Sequence, residues 1–223
     1  MCGRFVIELT PEMVKKIFGI TEIPDWPARY NIAPTQLVPV VRQRSDGTRQ
    51  ISMMRWGLVP AWAKEWGDGL INARAESINE KPSFRQAFRQ RRCIVPASGF
   101  YEWQKLDQKK IPYYVRMADH MPMPLAGVWE LWRSPEGQAF ESFAILTTTA
   151  NAAVAPIHDR MPVILHPDEL SLWLDRDLHD PDKLVPLLSA YPAERLEAHP
   201  VSPLVNSPGN DRPECILPVT ADG

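Results

Sequence analysis

Residues 93–117 read CIVPASGFYEWQKLDQKKIPYYVRM. Two apolar runs, Cys93–Trp103 and Pro112–Met117, flank the polar stretch Asp107–Lys110, which is the pattern of a β-hairpin. Comparable runs at Leu37–Arg42, Ile51–Leu58, Ala126–Leu131, Phe140–Thr148, Val163–His166 and Leu196–Val201 predict further strands. Asp46-Gly47 and Pro135–Gly137 predict two more tight turns between such runs. Helix signals are fewer. Thr10-Pro11 reads as a cap followed by proline at the first helical position, with Met13, Val14, Ile17 and Phe18 on one face and a stop at Gly19. Ser83 is a candidate cap for a helix with Phe84, Ala87 and Phe88 inward and Arg85, Arg89, Arg91 and Arg92 outward. Pro167-Asp168 and Asp180-Pro181 open two more, carrying Leu170 and Trp173 and Leu184 and Leu188. Strands and helices do not alternate regularly, which argues against a doubly wound parallel sheet. The expected fold is α+β: a single β-rich domain over residues 1–223, of curved, mostly antiparallel, barrel-like sheets flanked by short helices, with a disordered tail from about residue 218.

Composition narrows the function classes. The chain has 223 residues, 44% of them apolar, enough for one sizeable domain or two small ones. Its longest apolar stretches, such as residues 124–132, fall far short of the roughly 20 residues of a membrane span. Arg4 and Glu8 interrupt the place where a signal peptide needs an apolar core. The expected location is therefore cytoplasmic, or nuclear in a eukaryote. Cys2, Cys93 and Cys215 form no CxxC pair, and the five histidines show no HExxH spacing, so neither a disulfide framework nor a metal site is expected. No cofactor is implied. Residues 1–116 hold 19 Lys and Arg against 11 Asp and Glu, whereas residues 117–223 hold 6 against 16. A basic half can bind a polyanion through a local patch, unless the charges interleave in space and cancel.

Cys2 is followed by Gly3, and an initiator methionine is normally removed before a small residue. Removal leaves an amine and a thiol on one residue. An α-amine has an ordinary pKa of about 7.7–8.0, so part of it is unprotonated at neutral pH, unlike a lysine at about 10.4. Such an amine attacks an aldehyde to give a Schiff base, and the thiol can close onto the same carbon as a five-membered thiazolidine. While Met1 is present Cys2 has no free amine, so that form is expected to be a precursor. The plain alternative is an incidental cysteine; the functional ones are an aldehyde trap and an N-terminal-nucleophile amidotransferase.

Three polar residues sit inside apolar segments: Asn72 in GLINARAES, Glu102 in SGFYEWQK and His158 in APIHDRMPVIL. Burying such groups costs several kcal/mol unless they are paired. Singly, each has an ordinary explanation: a turn cap for Asn72, a pair with Lys105 for Glu102, a core imidazole for His158. Together beside an N-terminal amine they offer a base, a proton shuttle and an orienting amide.

The motifs MCGRF, RYNIAPTQ (29–36), RWGLVPAW (55–62), INARAES (71–77), CIVPASGFYEW (93–103), AILTTTAN (144–151), IHDRMPVIL (157–165) and HPVSPLVN (199–206) resemble, in order, those of the SOS-response-associated peptidase (SRAP) family. They cover residues 2 to about 206. The resemblance implies a sensor and shield for abasic sites in single-stranded DNA, in which Cys2 forms a thiazolidine with the ring-opened sugar aldehyde. It further implies that Asn72 positions the amine or the sugar and that Glu102 orients and deprotonates the amine. His158 would protonate the sugar ring oxygen or help reverse the linkage, and the chain would remove its own Met1.

DNA contacts follow on matching positions. Arg4, Arg74 and Arg160 would hold phosphates, for which a guanidinium's bidentate donors are suited. Pro34, Trp62 and Trp103 would wedge or stack against neighbouring bases. Lys81-Pro82 stands where some family members carry an arginine. The expected partner is single-stranded DNA with abasic sites, bound by a monomer, without membrane or metal. An amidotransferase, a stand-alone protease acting on other proteins and a non-covalent single-strand-binding module remain the competing readings.

Overall fold

The computed structural model describes residues 2–20, 22–23 and 26–219. Along the chain come β1 (Phe5–Ile7), α1 (Pro11–Phe18), β2 (Arg29–Ile32), β3 (Leu37–Gln43), β4 (Arg49–Trp56), β5 (Asn72–Arg74) and α2 (Arg85–Gln90). Then follow β6 (Arg92–Ala97), β7 (Gly99–Leu106), β8 (Lys109–Met117), β9 (Met123–Arg133), β10 (Ala139–Thr149), β11 (Arg160–Pro162), α3 (Leu170–Leu174), α4 (Pro181–Leu184) and β12 (Leu196–Pro200).

Five of these strands close a barrel in the order β10-β4-β3-β6-β9, with β9 returning to β10 over Ala139↔Arg133 to Ile145↔Gly127. The closing seam is a short parallel pair, Ser142↔Arg55 and Phe143↔Trp56. Beyond it β10 runs on and takes β5 alongside in parallel and β11 antiparallel. A second sheet, β12-β8-β7-β1-β2, is antiparallel throughout. The expected α+β fold with curved, mostly antiparallel sheets is what the chain adopts.

β6 and the middles of β3, β9 and β10 are buried on both faces, which is why their sequences read as continuous apolar runs instead of alternating. Cys93, Val95, Leu125, Phe143 and Ile145 share one core with Phe5, Ile7, Phe100 and Val115 of the second sheet. Their strand neighbours Ile94, Ala126, Ala144 and Leu146 pack instead with Val14, Phe18, Phe88 and Trp173 of the helices. A third, smaller core of Val6, Tyr101, Tyr114, Val201, Val205 and Cys215 lies on the other side of the second sheet.

The local signals behave as expected for α1. Thr10 accepts from the Met13 N–H at 3.3 Å, and Gly19 closes the helix in the left-handed region at φ 65°. The three turns join β3 to β4, β7 to β8 and β9 to β10. Several expectations need correction. The apolar run Cys93–Trp103 is two strands in different sheets, and the chain passes from barrel to second sheet at Ser98. Arg92 is not on a solvent face. The helix has ended at Gln90, and the guanidinium is buried, donating to the carbonyls of Phe88, Arg89, Trp173, Asp175 and Leu178. All but the Leu178 carbonyl belong to the ends of α2 and α3, where orphan carbonyls need donors. Ser83 does not cap α2, whose first turn has no side-chain cap. Residues 163–165 make two backbone bonds to β9 and one to β10, and Pro124 and Pro162 offer no N–H to extend a ladder; the strand proper is Arg160–Pro162. The tail expected to be disordered from 218 is tied down further, since Pro218 bridges Val201 and Val219 donates to Pro200 O at 3.0 Å. The rest of that tail, 220–223, and Met1 lie outside the described residues.

Gly99 marks the crossing between sheets. A Cβ there would lie 2.5 Å from Val115 O and 2.6 Å from the Tyr114 ring, so only hydrogen fits. Gly99→Ala is expected to lower stability by about 1–3 kcal/mol, the usual cost of overpacking, read as a lower midpoint in urea unfolding.

Candidate active site

β1 lies between β7 and β2 (Phe5↔Phe100, Val6↔Gly99, Phe5↔Ile32). That pairing carries residues 2–4 into the molecule. Cys2 is wholly buried, and its thiol lies 3.9 Å from Arg4 O. Its carbonyl accepts from Asn72 Nδ2 at 2.8 Å. Asn72 stands at the head of β5, which β10 holds by Ile145↔Asn72. Its Oδ1 is buried without a hydrogen-bond partner among the described residues. An amide oxygen left so in a protein interior is costly, and it is available to a donor that arrives with a ligand.

Glu102 is two residues beyond Phe100 on β7 and 2% exposed. Burial pushes its carboxyl up, against the pull of the positive charges at the chain's amino terminus and on His158. The Cys2 thiol is pushed up by burial and further by the Glu102 carboxylate. His158 Nδ1 accepts from the Arg160 N–H at 3.0 Å, which in the neutral ring leaves the proton on Nε2. Asp159 Oδ1 is 2.9 Å from the same Nδ1 and would hold its proton when the ring is charged. Glu102 and His158 line one cleft of about 400 Å³ together with Arg4, Trp103 and Asn206. A larger cleft of about 550 Å³ opens beside the β3–β4 turn, lined by Arg44, Arg91, Trp129 and Arg176, and holds none of the residues expected for catalysis or DNA contact.

The model of the SOS response associated peptidase (SRAP) family matches residues 1–208. The chain belongs to the SRAP family. It is 42% identical to the abasic site processing protein YoqW of Bacillus subtilis over 97% of this chain and 99% of that protein. It is 31% identical to the abasic site processing protein HMCES of Mus musculus over 98% of this chain and 76% of that one. Among solved structures it resembles a protein of Bacteroides thetaiotaomicron at a TM-score of 0.77 and 31% identity, covering 86% of this chain and 85% of that one.

In this SRAP chain the residues nominated as DNA contacts divide in two. Arg74 and Trp62 are exposed, Trp62 at 68%, and the Arg74 guanidinium makes no hydrogen bond among the described residues. Arg4 and Arg160 are already engaged. Arg4 donates to Asn31 Oδ1 and Val205 O at 2.8 and 2.7 Å. Arg160 makes a bidentate pair with Glu76 (2.5 and 2.9 Å) and reaches Thr147 O at 2.6 Å. The acid beside Arg74, Glu76, is thus held by Arg160. Trp103 is half-buried, its indole N–H donating to Asn206 Oδ1 at 2.8 Å and the Arg4 guanidinium 5.9 Å from its ring centre. Pro34 is half-buried in the turn where Thr35 takes φ 73° and bonds Trp56 O. Glu102 is not paired with Lys105: three positions apart on β7, they point to opposite faces.

Sequence reasoning missed Asn206, although it ends a quoted motif, HPVSPLVN, and Asp159, which sits beside His158. It also missed Asn31 and Asp211, which pin the C-terminal segment to β2. Asn31 Nδ2 donates to the carbonyls of Val205, Ser207 and Asn210, and Asp211 accepts from the Tyr30 and Asn31 N–H groups.

The Glu102 shift has a consequence for stability. Folding favours its protonated form, so its contribution is full below the unfolded pKa and is lost as pH rises through the folded one. Glu102→Gln is expected to melt above the wild type by a few degrees at pH 7–8, with the gap closing toward pH 4. Equal midpoints at pH 8 would count against the buried carboxylate.

Proposed function

We propose that this chain captures abasic sites in single-stranded DNA by a covalent bond through Cys2 once Met1 has been removed. The observation that carries the reading is Cys2, buried and held through its carbonyl by Asn72 beside Glu102. The names of relatives at 30–42% identity, abasic site processing proteins, support action at abasic sites.

The steps balance without a cofactor. The α-amine adds to the ring-opened sugar aldehyde, forming a C–N bond and a hydroxyl. Loss of water then gives an imine. The thiol adds across C=N: sulfur bonds to carbon, and the thiol proton goes to nitrogen, closing a thiazolidine. Glu102, with its carboxyl raised toward neutrality, takes the ammonium proton at the start and returns one to the departing hydroxyl. His158, also at the cleft, protonates the sugar ring oxygen as the ring opens. The Asn72 amide fixes the Cys2 backbone so that amine and aldehyde meet in one geometry. A thiol held protonated by burial suits the second place in this order better than the first. Removal of Met1 is hydrolysis of its bond to Cys2, in which Cys2 and Glu102 again take part. Arg74 is the phosphate contact with the freest guanidinium, and Trp62 and Trp103 stack on bases beside the gap.

Intact mass with and without abasic single strands reports both Met1 loss and adduct formation. Cys2→Ala and Cys2→Ser are expected to give no adduct that survives denaturing electrophoresis. Cys2→Ser, with Met1 removed, keeps the amine and should be trapped on the DNA by borohydride. A stable adduct of normal yield in Cys2→Ala would sink the mechanism. An amidotransferase would instead release ammonia from glutamine, and none is expected.

A further inference from the structure

The β7–β8 hairpin breaks a rule of sheet pairing. Lys105 and Lys110 stand directly opposite each other (Lys105↔Lys110) on the sheet face that also carries Trp103. Like charges placed so destabilise a sheet by up to about 1 kcal/mol. Neither ammonium has a carboxylate within 4 Å among the described residues. Arg29, Arg42, Arg91, Arg116 and Arg160 of the chain are, by contrast, each paired with an acid. Both lysines line the cleft that Glu102 and His158 line.

We infer that Lys105 and Lys110 form a phosphodiester clamp that continues the single-strand track outward from Trp103 along the hairpin. The inference rests on the proposed reading of the site as one for single-stranded DNA. Trp103, fixed by Asn206, offers a base-stacking plane, and Lys105 follows about 7 Å further along the strand. A phosphate between the two ammonium groups turns their repulsion into attraction, so the strain of the free hairpin is relieved on binding. Point charges on flexible stems suit a backbone whose sequence is not read.

The test is the salt dependence of affinity for an undamaged oligonucleotide. For single strands the log–log slope changes by about 0.7 per phosphate contact. Lys105→Gln/Lys110→Gln, which frees one neutralised phosphate, should therefore flatten it by about 0.7 and weaken binding about 5-fold at 0.1 M salt. Its thermal midpoint should stay level or rise. Lys105→Arg/Lys110→Arg should keep the slope. Lys15→Gln/Lys16→Gln, which removes the same charge from the exposed face of α1, should leave the slope unchanged. An unaltered slope in the glutamine variant, or an equal loss in the α1 control, would overturn the clamp. Wild-type protein that forms no adduct with abasic strands, yet shows the lysine-dependent slope, refutes the proposed reaction and leaves the clamp standing. Normal adduct formation with no lysine dependence does the reverse.

Discussion

Chain ends fray, because few contacts offset the entropy of their many conformations. On the proposed reading residue 2 carries the reactive group, which requires that entropy to be overcome. Here it is overcome by placing the first strand in the interior of a sheet, with backbone partners on both edges. Phe5 packs edge-on against Trp56 at 4.9 Å, and Arg4 is bonded to a loop 201 residues away. Much of the architecture serves that placement. β7 must lie beside β1, and so brings Glu102 to within two residues of Phe5's partner Phe100. β5 must extend the barrel past its seam, and so brings Asn72 to the Cys2 carbonyl. The C-terminal segment must return across the second sheet, because the backbone carbonyls of Val205 and Asn206 hold Arg4.

Burial sets the chemistry as well as the position. In a dry site burial disfavours both the Glu102 carboxylate and the Cys2 thiolate, and the carboxylate further disfavours the thiolate. A raised carboxyl is a better proton donor, and a raised thiol competes less for oxidants or other electrophiles. The same burial costs folding free energy, as functional sites commonly do.

What could be read in the sequence was what is local. Thr10-Pro11 and Gly19 define α1 through caps within one turn, and the three hairpin turns lie between runs that pair with each other. Glu102, Asn72 and His158 stood out because polar groups in apolar strands need partners. The barrel's closure did not show, since the pairing of Ser142 with Arg55 joins residues 87 positions apart in the chain through a two-residue parallel seam. β1, β2 and β5 are three or four residues long, too short for any period to register. The split of Cys93–Trp103 was invisible because both halves are buried on both sides, and only Gly99 hints at the crossing. Arg92 was placed by a helical period that had already ended. Lys110 reads as a turn residue and Lys105 as a partner for Glu102, and only the register shows that the two lysines face each other.

The charge asymmetry between the two halves resolves in three dimensions. Arg29 with Asp211, Arg42 with Glu141, Arg91 with Glu130 and Arg116 with Glu197 each join the basic half to the acidic half. Interleaving therefore removes much of the polyanion-attracting charge that composition alone suggests. It does so unevenly. The Arg74 guanidinium is left unbonded near Asn72, and Lys105 and Lys110 are left facing each other at the mouth of the Glu102 cleft. Exposed ion pairs contribute little to stability, so their chief effect is to cancel charge locally. On the proposed reading, a strand of phosphates meets Lys105 and Lys110 at the cleft that Glu102 and His158 line.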